Sequence, residues 1–281
     1  MFDDAAVFPP GSLPMEEAVP AHLGHLAAAH RRFVGAFVVA AKDLGTFASA
    51  LSQATDQATS GCFDLIVTAP LDDVAAAVAA TERIPTARVR AIEVALPPKV
   101  PADGFATTIQ DAIGPRTRIA VFVEVPRDGR RRAVISALAK TPYGAKFRTG
   151  GVRADLFPDE SELAGALLET ISADVPFKAT AGLHHALRNT DTSHSFEQHG
   201  FLNLLAATDV ALRGADHATL VSLLAQRDAV RMAALVREVQ PRVRDTFRSF
   251  GTCSIAEPMQ DLADLGLISP AAAKDVQWRG Y

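Results

Sequence analysis

Cysteine is nearly absent from this chain: Cys62 and Cys253 are the only two in 281 residues. So few thiols, set so far apart, exclude a disulfide framework and supply no zinc spacing, so a reducing cytoplasm is the expected setting. No stretch approaches the roughly 20 uncharged apolar residues that cross a bilayer. The opening MFDDAAVFPP is acidic and carries prolines, where a signal peptide would carry a basic head and an apolar run. A basic stripe is also missing, since 28 Lys and Arg are scattered among 32 Asp and Glu for a net charge of -4. Neither nucleic acid nor membrane is therefore an expected partner. No glycine fingerprint follows an early strand, which removes the support for an open dinucleotide-binding sheet. Internal repeats and low-complexity linkers are lacking too, so residues 1–281 read as one domain.

What the chain does have is apolar residues, 48% of the total, arranged in short runs that alternate with segments of helical period. The runs cover 4–8, 33–40, 63–68, 88–96, 119–125, 145–149, 177–181 and 246–251, rich in Val, Ile and Phe. Runs of this kind suit strands buried on both faces. Helices are expected over 43–55, 71–81, 130–140 and 160–172, the last after Pro158 and Asp159. Eight strands alternating with helices predict an α/β fold of the (β/α)8 TIM-barrel type, for which about 250 residues suffice. A long connection at 183–245 precedes the last strand, with a polar loop at 184–199. Helices over 200–213 and 218–247 follow, the second broken near Asp228 or Pro241.

Strand side chains alternate faces, and that alternation sorts the polar residues. With Phe147 turned to the helices, Lys146 and Arg148 face the barrel axis. The same rule turns Lys178 and Thr180 inward on the next strand, and Glu124 and Glu93 inward on two earlier ones. All lie toward the C-terminal strand ends, where active sites of this architecture sit. Two neighbouring ammonium groups should depress each other's pKa. A lysine so tuned is a nucleophile that forms a Schiff base with a carbonyl compound.

These residues also carry a family resemblance. Lys146–Phe147–Arg148–Thr149–Gly150 is similar to the K-x-x-T-G strand of deoxyribose-phosphate aldolases and related class I (Schiff-base) aldolases. Lys178–Ala179–Thr180–Ala181–Gly182, starting 32 residues later, resembles that family's second lysine strand. Val121–Phe122–Val123–Glu124–Val125 resembles its V-I-x-E-T strand, and Gly251–Thr252–Cys253–Ser254 its phosphate-holding turn. The resemblance implies a carbon–carbon lyase with Lys146 as nucleophile, Lys178 as its pKa-lowering partner, and Glu93 and Asp3 as proton relay. Asp4 is the alternative to Asp3, and Tyr281 stands where some relatives have a terminal proton donor. The chain departs from the family at Arg148, at Glu93 in place of aspartate, and after Gly182. The implied chemistry therefore leaves the substrate open.

The expected substrate is a small carbonyl compound bearing an anionic group. Arg148, with the glycines Gly150, Gly151, Gly182 and Gly251 at strand ends, suits such a group. Glu124, Thr149, Thr180, His184, Thr252 and Ser254 complete the expected binding set. No cofactor and no metal are expected. Two alternatives stay open: a metal-dependent barrel enzyme using His184, His185, His194 or Glu124, and a non-catalytic barrel whose lysines simply pair with Glu93 and Glu124. Phe196, Phe201 and Leu202 anchor the long connection to the barrel or to a second subunit, which leaves a homo-oligomer open.

Overall fold

The computed structural model describes residues 1–55, 62–102, 104–114, 118–192 and 195–273, so His194 and Tyr281 lie outside the described residues. Eight parallel strands close a barrel in chain order, the last returning to the first. They are β1 (Phe2–Asp4), β2 (Val34–Ala40), β3 (Phe63–Pro70), β4 (Ala87–Ala95), β5 (Ala120–Glu124), β6 (Gly144–Arg148), β7 (Phe177–Thr180) and β8 (Phe247–Thr252). The crossovers through β7 carry α1 (Met15–Ala27), α2 (Leu44–Thr55), α3 (Val74–Thr81), α4 (Phe105–Ile113), α5 (Arg131–Leu138) and α6 (Glu160–Ser172). Between β7 and β8 come α7 (Phe201–Leu212), α8 (His217–Leu224), α9 (Ala229–Arg237) and α10 (Val243–Thr246). The chain goes on through α11 (Ala256–Asp264) and α12 (Pro270–Ala273). The (β/α)8 TIM barrel expected from the sequence is the observed architecture. Among the described residues no helix is long and apolar enough to cross a membrane.

The first strand lies earlier than the run at 4–8 suggests. Phe2 supplies the reason: its ring meets Phe250 at 5.0 Å and Phe201 at 5.7 Å, so the apolar anchor precedes the two aspartates. Expectation also passed over α1, whose interior Pro20 argues against a helix. Burial of Met15, Ala18, Val19 and His22, spaced at helical period on one face, outweighs that local cost. In the long connection the expected helix over 218–247 breaks at both Asp228 and Pro241. Asp228 caps α9 by accepting from Arg231 N–H, and Pro241 precedes the short α10. Helix α7 is buried along nearly its whole length, with Phe201 stacked on Phe250 at 4.8 Å, so it packs on the barrel.

The core has two shells. Outward strand residues such as Phe37, Val67, Val94, Val123, Phe147 and Ala179 pack beneath the helices. The barrel's apolar interior is small: Ala36, Val38, Ile66 and Ala91, with Ala5, Phe8 and Phe122 against them. Charged side chains occupy the level above. Gly144 begins β6 on the inward face, where a Cβ would stand 2.7 Å from the Phe122 ring and 2.8 Å from the Pro176 carbonyl oxygen. One of these atoms is backbone and the other a half-buried ring packed against the barrel's apolar interior, so neither yields cheaply. Gly144→Ala should therefore lower stability by about 1–3 kcal/mol, read as a fall in the urea midpoint. An unchanged midpoint would show that the ring moves aside freely.

Candidate active site

Six ionised side chains from five strands form one unbroken chain of alternating sign inside the barrel. Asp3 on β1 accepts from the Lys178 ammonium at 2.7 Å, and Lys178 also binds Glu93 Oε1. The other oxygen of Glu93 takes Lys146 at 2.9 Å. Lys146 then reaches Glu124 Oε2 at 3.1 Å, and Glu124 Oε1 accepts from Arg148 Nε at 2.9 Å. Three carboxylates and three cations balance. Ser249 on β8 closes the far end by donating to Asp3 Oδ2 at 2.5 Å.

Local sequence explains each position. Lys146 and Lys178 are register partners on adjacent strands, and Glu124 is the partner of Lys146 on its other side. Strand β2 bulges against β1, and Gly35 at the bulge leaves the space that Asp3 Oδ1 fills, where any Cβ would collide. Asp4 points the other way: it receives His22 Nδ1 at 2.9 Å and Ala6 N–H at 3.1 Å beneath α1. Of the two candidate aspartates, Asp3 is the one in the barrel.

The lysines do share a level, yet the proposed tuning of one by the other is not what the geometry does. Glu93 stands between them. Burial disfavours both ammonium forms, but the carboxylates outweigh it. Lys178 is held above the ordinary lysine range by Asp3 and Glu93, and Lys146 by Glu93 and Glu124. Burial likewise works against the Glu93 carboxylate, and the two lysines overcome it, holding the group down at about 2. Glu124 is shifted downward on the same balance, with Lys146 and Arg148 as its cations. These charges are fixed at neutral pH. An amine so protonated is not a nucleophile, and the pairing is the one expected of the non-catalytic alternative.

A cavity of about 520 Å³ opens above one end of this chain. Glu93, Glu124, Lys146 and Arg148 line it, and Lys178 and Asp3 do not. Apolar walls come from Ala5, Phe8, Pro9, Val38, Pro70 and Leu156, with Lys42 and Asp73 also present. Of the remaining expected residues, Gly151, Thr180, His184 and Gly251 reach the cavity. Thr149 is buried and ties the ends of β6 and β7, donating to the Ala181 carbonyl at 2.6 Å. Gly150 and Gly182 let those two backbones touch: a Cβ on Gly150 would lie 2.8 Å from Gly182 Cα, and Gly182 has φ +70°. Thr252 and Ser254 spend their hydroxyls on the turn itself, Thr252 on the Ser254 carbonyl and Ser254 on Glu257 N–H.

The histidine stretch is spread over several partners. His184 Nδ1 meets Glu257 at 2.9 Å, and His185 Nδ1 meets Asp261 at 3.2 Å. His199 is buried and donates through Nε2 to the Pro158 carbonyl at 2.8 Å. Burial, then Arg188 nearby, pushes the His199 imidazole down to about 4. Among the described residues no group of three His, Cys, Asp or Glu side chains is gathered as a metal-ligand set. Sequence reasoning placed Cys253 only in the turn after the last strand and missed Glu257; both lie close to His184. The signal was faint: an acidic residue in the first turn of α11, four residues after the turn cysteine.

No family model and no curated protein matches the chain. Among solved structures it is similar to an aldo/keto reductase from Klebsiella pneumoniae in complex with NADP and acetate. Identity there is 12%, over 97% of this chain and 89% of that one, with a TM-score of 0.47. It is also similar to PhdJ bound to substrate intermediate, at 14% identity over 86% of this chain and 76% of that one, with a TM-score of 0.39. At such values the likeness adds nothing to the barrel already visible in the strand order. The resemblance to deoxyribose-phosphate aldolases is corrected here, and with it the Schiff-base lyase reading. No family model supports it, and the lysines are locked as ammonium groups between carboxylates.

Acid should dissect this site. Glu93 ionises at about 2 in the fold against an ordinary 4.5, so its stabilisation is complete above 4.5 and disappears as pH falls through 2. The associated loss is roughly 3 kcal/mol. His199, held near 4 against 6.5, adds a separate loss between those values. Urea unfolding from pH 7 to 2.5 should show both intervals, and Glu93→Gln should flatten only the lower one.

Proposed function

We propose that this chain is an enzyme acting on a small anionic carbonyl compound, whose oxygens are held and polarised by the Lys146 ammonium and Arg148 guanidinium. The observation that carries this reading is the asymmetry of the buried ion chain. Its Asp3–Lys178 end is sealed, while its Lys146–Glu124–Arg148 end opens into the 520 Å³ cavity. A chain serving only to fill the barrel would have no reason to present one end to a ligand-sized space.

Fixed, pre-oriented cations in a cavity with apolar walls stabilise negative charge as it develops on a substrate oxygen, without any reorganisation at the moment of reaction. Lys146 is suited to donating hydrogen bonds to such an oxygen, because its carboxylate partners keep it protonated. Arg148, paired with Glu124 and partly exposed at the rim, offers its remaining N–H groups to a carboxylate or phosphate. Glu124 positions both cations.

Calorimetric titration with pyruvate, glyoxylate and inorganic phosphate tests this reading. At least one of the oxo acids should bind, and Lys146→Met and Arg148→Gln should each weaken it about tenfold, near 1.4 kcal/mol. Arg148→Gln serves as the variant whose folding is least at risk, because its side chain is 35% exposed. Absence of binding by all three probes, or equal binding by both variants, would leave the ion chain as a structural plug and overturn the proposal.

A further inference from the structure

A second group of reactive side chains faces the same cavity and takes no part in the ion chain. Cys253 lies in the turn after β8, buried to 5% exposure, and lines the cavity together with His184. Its Sγ stands 3.6 Å from His184 Nδ1 and 3.7 Å from Nε2. The same ring meets Glu257 Oε2 through Nδ1 at 2.9 Å, which leaves Nε2 to the thiol. These residues come from three places in the chain: the end of β7, the end of β8 and the first turn of α11.

The arrangement is held firmly. His185 and the Ala186 N–H both bind Asp261, one helical turn beyond Glu257 on α11, so two consecutive histidines dock on two carboxylates of one helix face. Gly182 at φ +70° gives the chain the turn that brings His184 back over the strand ends. An ordinary turn cysteine needs neither an oriented imidazole nor a carboxylate behind it.

We infer that Cys253, His184 and Glu257 form a thiolate–imidazolium–carboxylate triad at the cavity wall, a nucleophilic site for the carbonyl carbon of a small aldehyde or ketone. The inference stands on residues other than those of the oxyanion reading. In the step it implies, a lone pair of Sγ forms the C–S bond and the carbonyl π bond breaks. The released pair goes to oxygen, which takes the imidazolium proton from His184. The product is a thiohemiacetal, with no oxidant, reductant or leaving group required. Glu257 orients the ring and stabilises its charge, as the third member of such a set does.

Electrostatics agree. Burial disfavours the imidazolium, but Cys253 and Glu257 outweigh it and lift His184 to about 10. The titratable groups facing His184 are Cys253 beside it, Glu257 from α11 and the neighbouring His185, which is turned to Asp261.

Alkylation of the native full chain with iodoacetamide tests this, with peptide mass mapping at pH 5 to 9 and the exposed Cys62 as internal reference. At pH 6 Cys253 should label about tenfold faster than Cys62, although it is the more buried of the two. His184→Gln should bring the Cys253 rate down to that of Cys62 or below, and Glu257→Gln should lower it part of the way. Preincubation with propanal should slow labelling of Cys253 and spare Cys62. A Cys253 rate no greater than that of Cys62 at pH 6, no labelling in the native chain, or indifference to His184→Gln would overturn the triad. Failure of propanal to protect would overturn the carbonyl assignment. Both probes are uncharged, so the outcome is independent of the anion-binding test.

Discussion

The Glu93 carboxylate is the contact on which the barrel interior depends. It is buried, and each of its oxygens holds a different lysine, so two ammonium groups in register on adjacent strands are bridged instead of opposed. Barrels of this kind fill their interior with layers of branched apolar side chains. Here such packing stops at Ile66, Ala91 and Phe122, and the level above is ionic. Desolvating six charges is costly, and only complete pairing with good geometry offsets it. The alternation of sign from Asp3 to Arg148 provides that pairing.

Completeness has a chemical consequence. Because each lysine is surrounded by carboxylates, its proton is secured rather than made labile, and the lysine pair turns from a source of nucleophilic amine into a source of permanent positive charge. That one reversal separates the observed site from the amine chemistry suggested by the motifs. It also shifts attention along the cavity wall to Cys253 and His184, where a thiol and an imidazole lie together and a carboxylate holds the ring. Electrostatic hold and nucleophile would then line one space, supplied by β4 to β6 and by the ends of β7 and β8.

Much of this was legible in the chain. Eight apolar runs with helical spacers sufficed for the barrel, and period-two alternation sufficed to turn Glu93, Glu124, Lys146, Arg148 and Lys178 inward. The first strand was displaced because Phe2 is anchored by aromatic rings nearly two hundred residues or more away, which no local pattern reveals. Helix α1 was passed over because Pro20 speaks against it locally, while the burial that overrides Pro20 is tertiary.

The sequence by itself determined which side chains share the barrel interior, since alternation is a property of the extended backbone alone. It could not determine who pairs with whom. Lys146 and Lys178 are adjacent in register whether or not a carboxylate comes between them, and only closure of the barrel brings Glu93 from β4 across to both. The same closure sets Cys253 beside a histidine 69 residues earlier in the chain. Charge state follows from such neighbours rather than from residue type, and neighbours are decided by the tertiary fold.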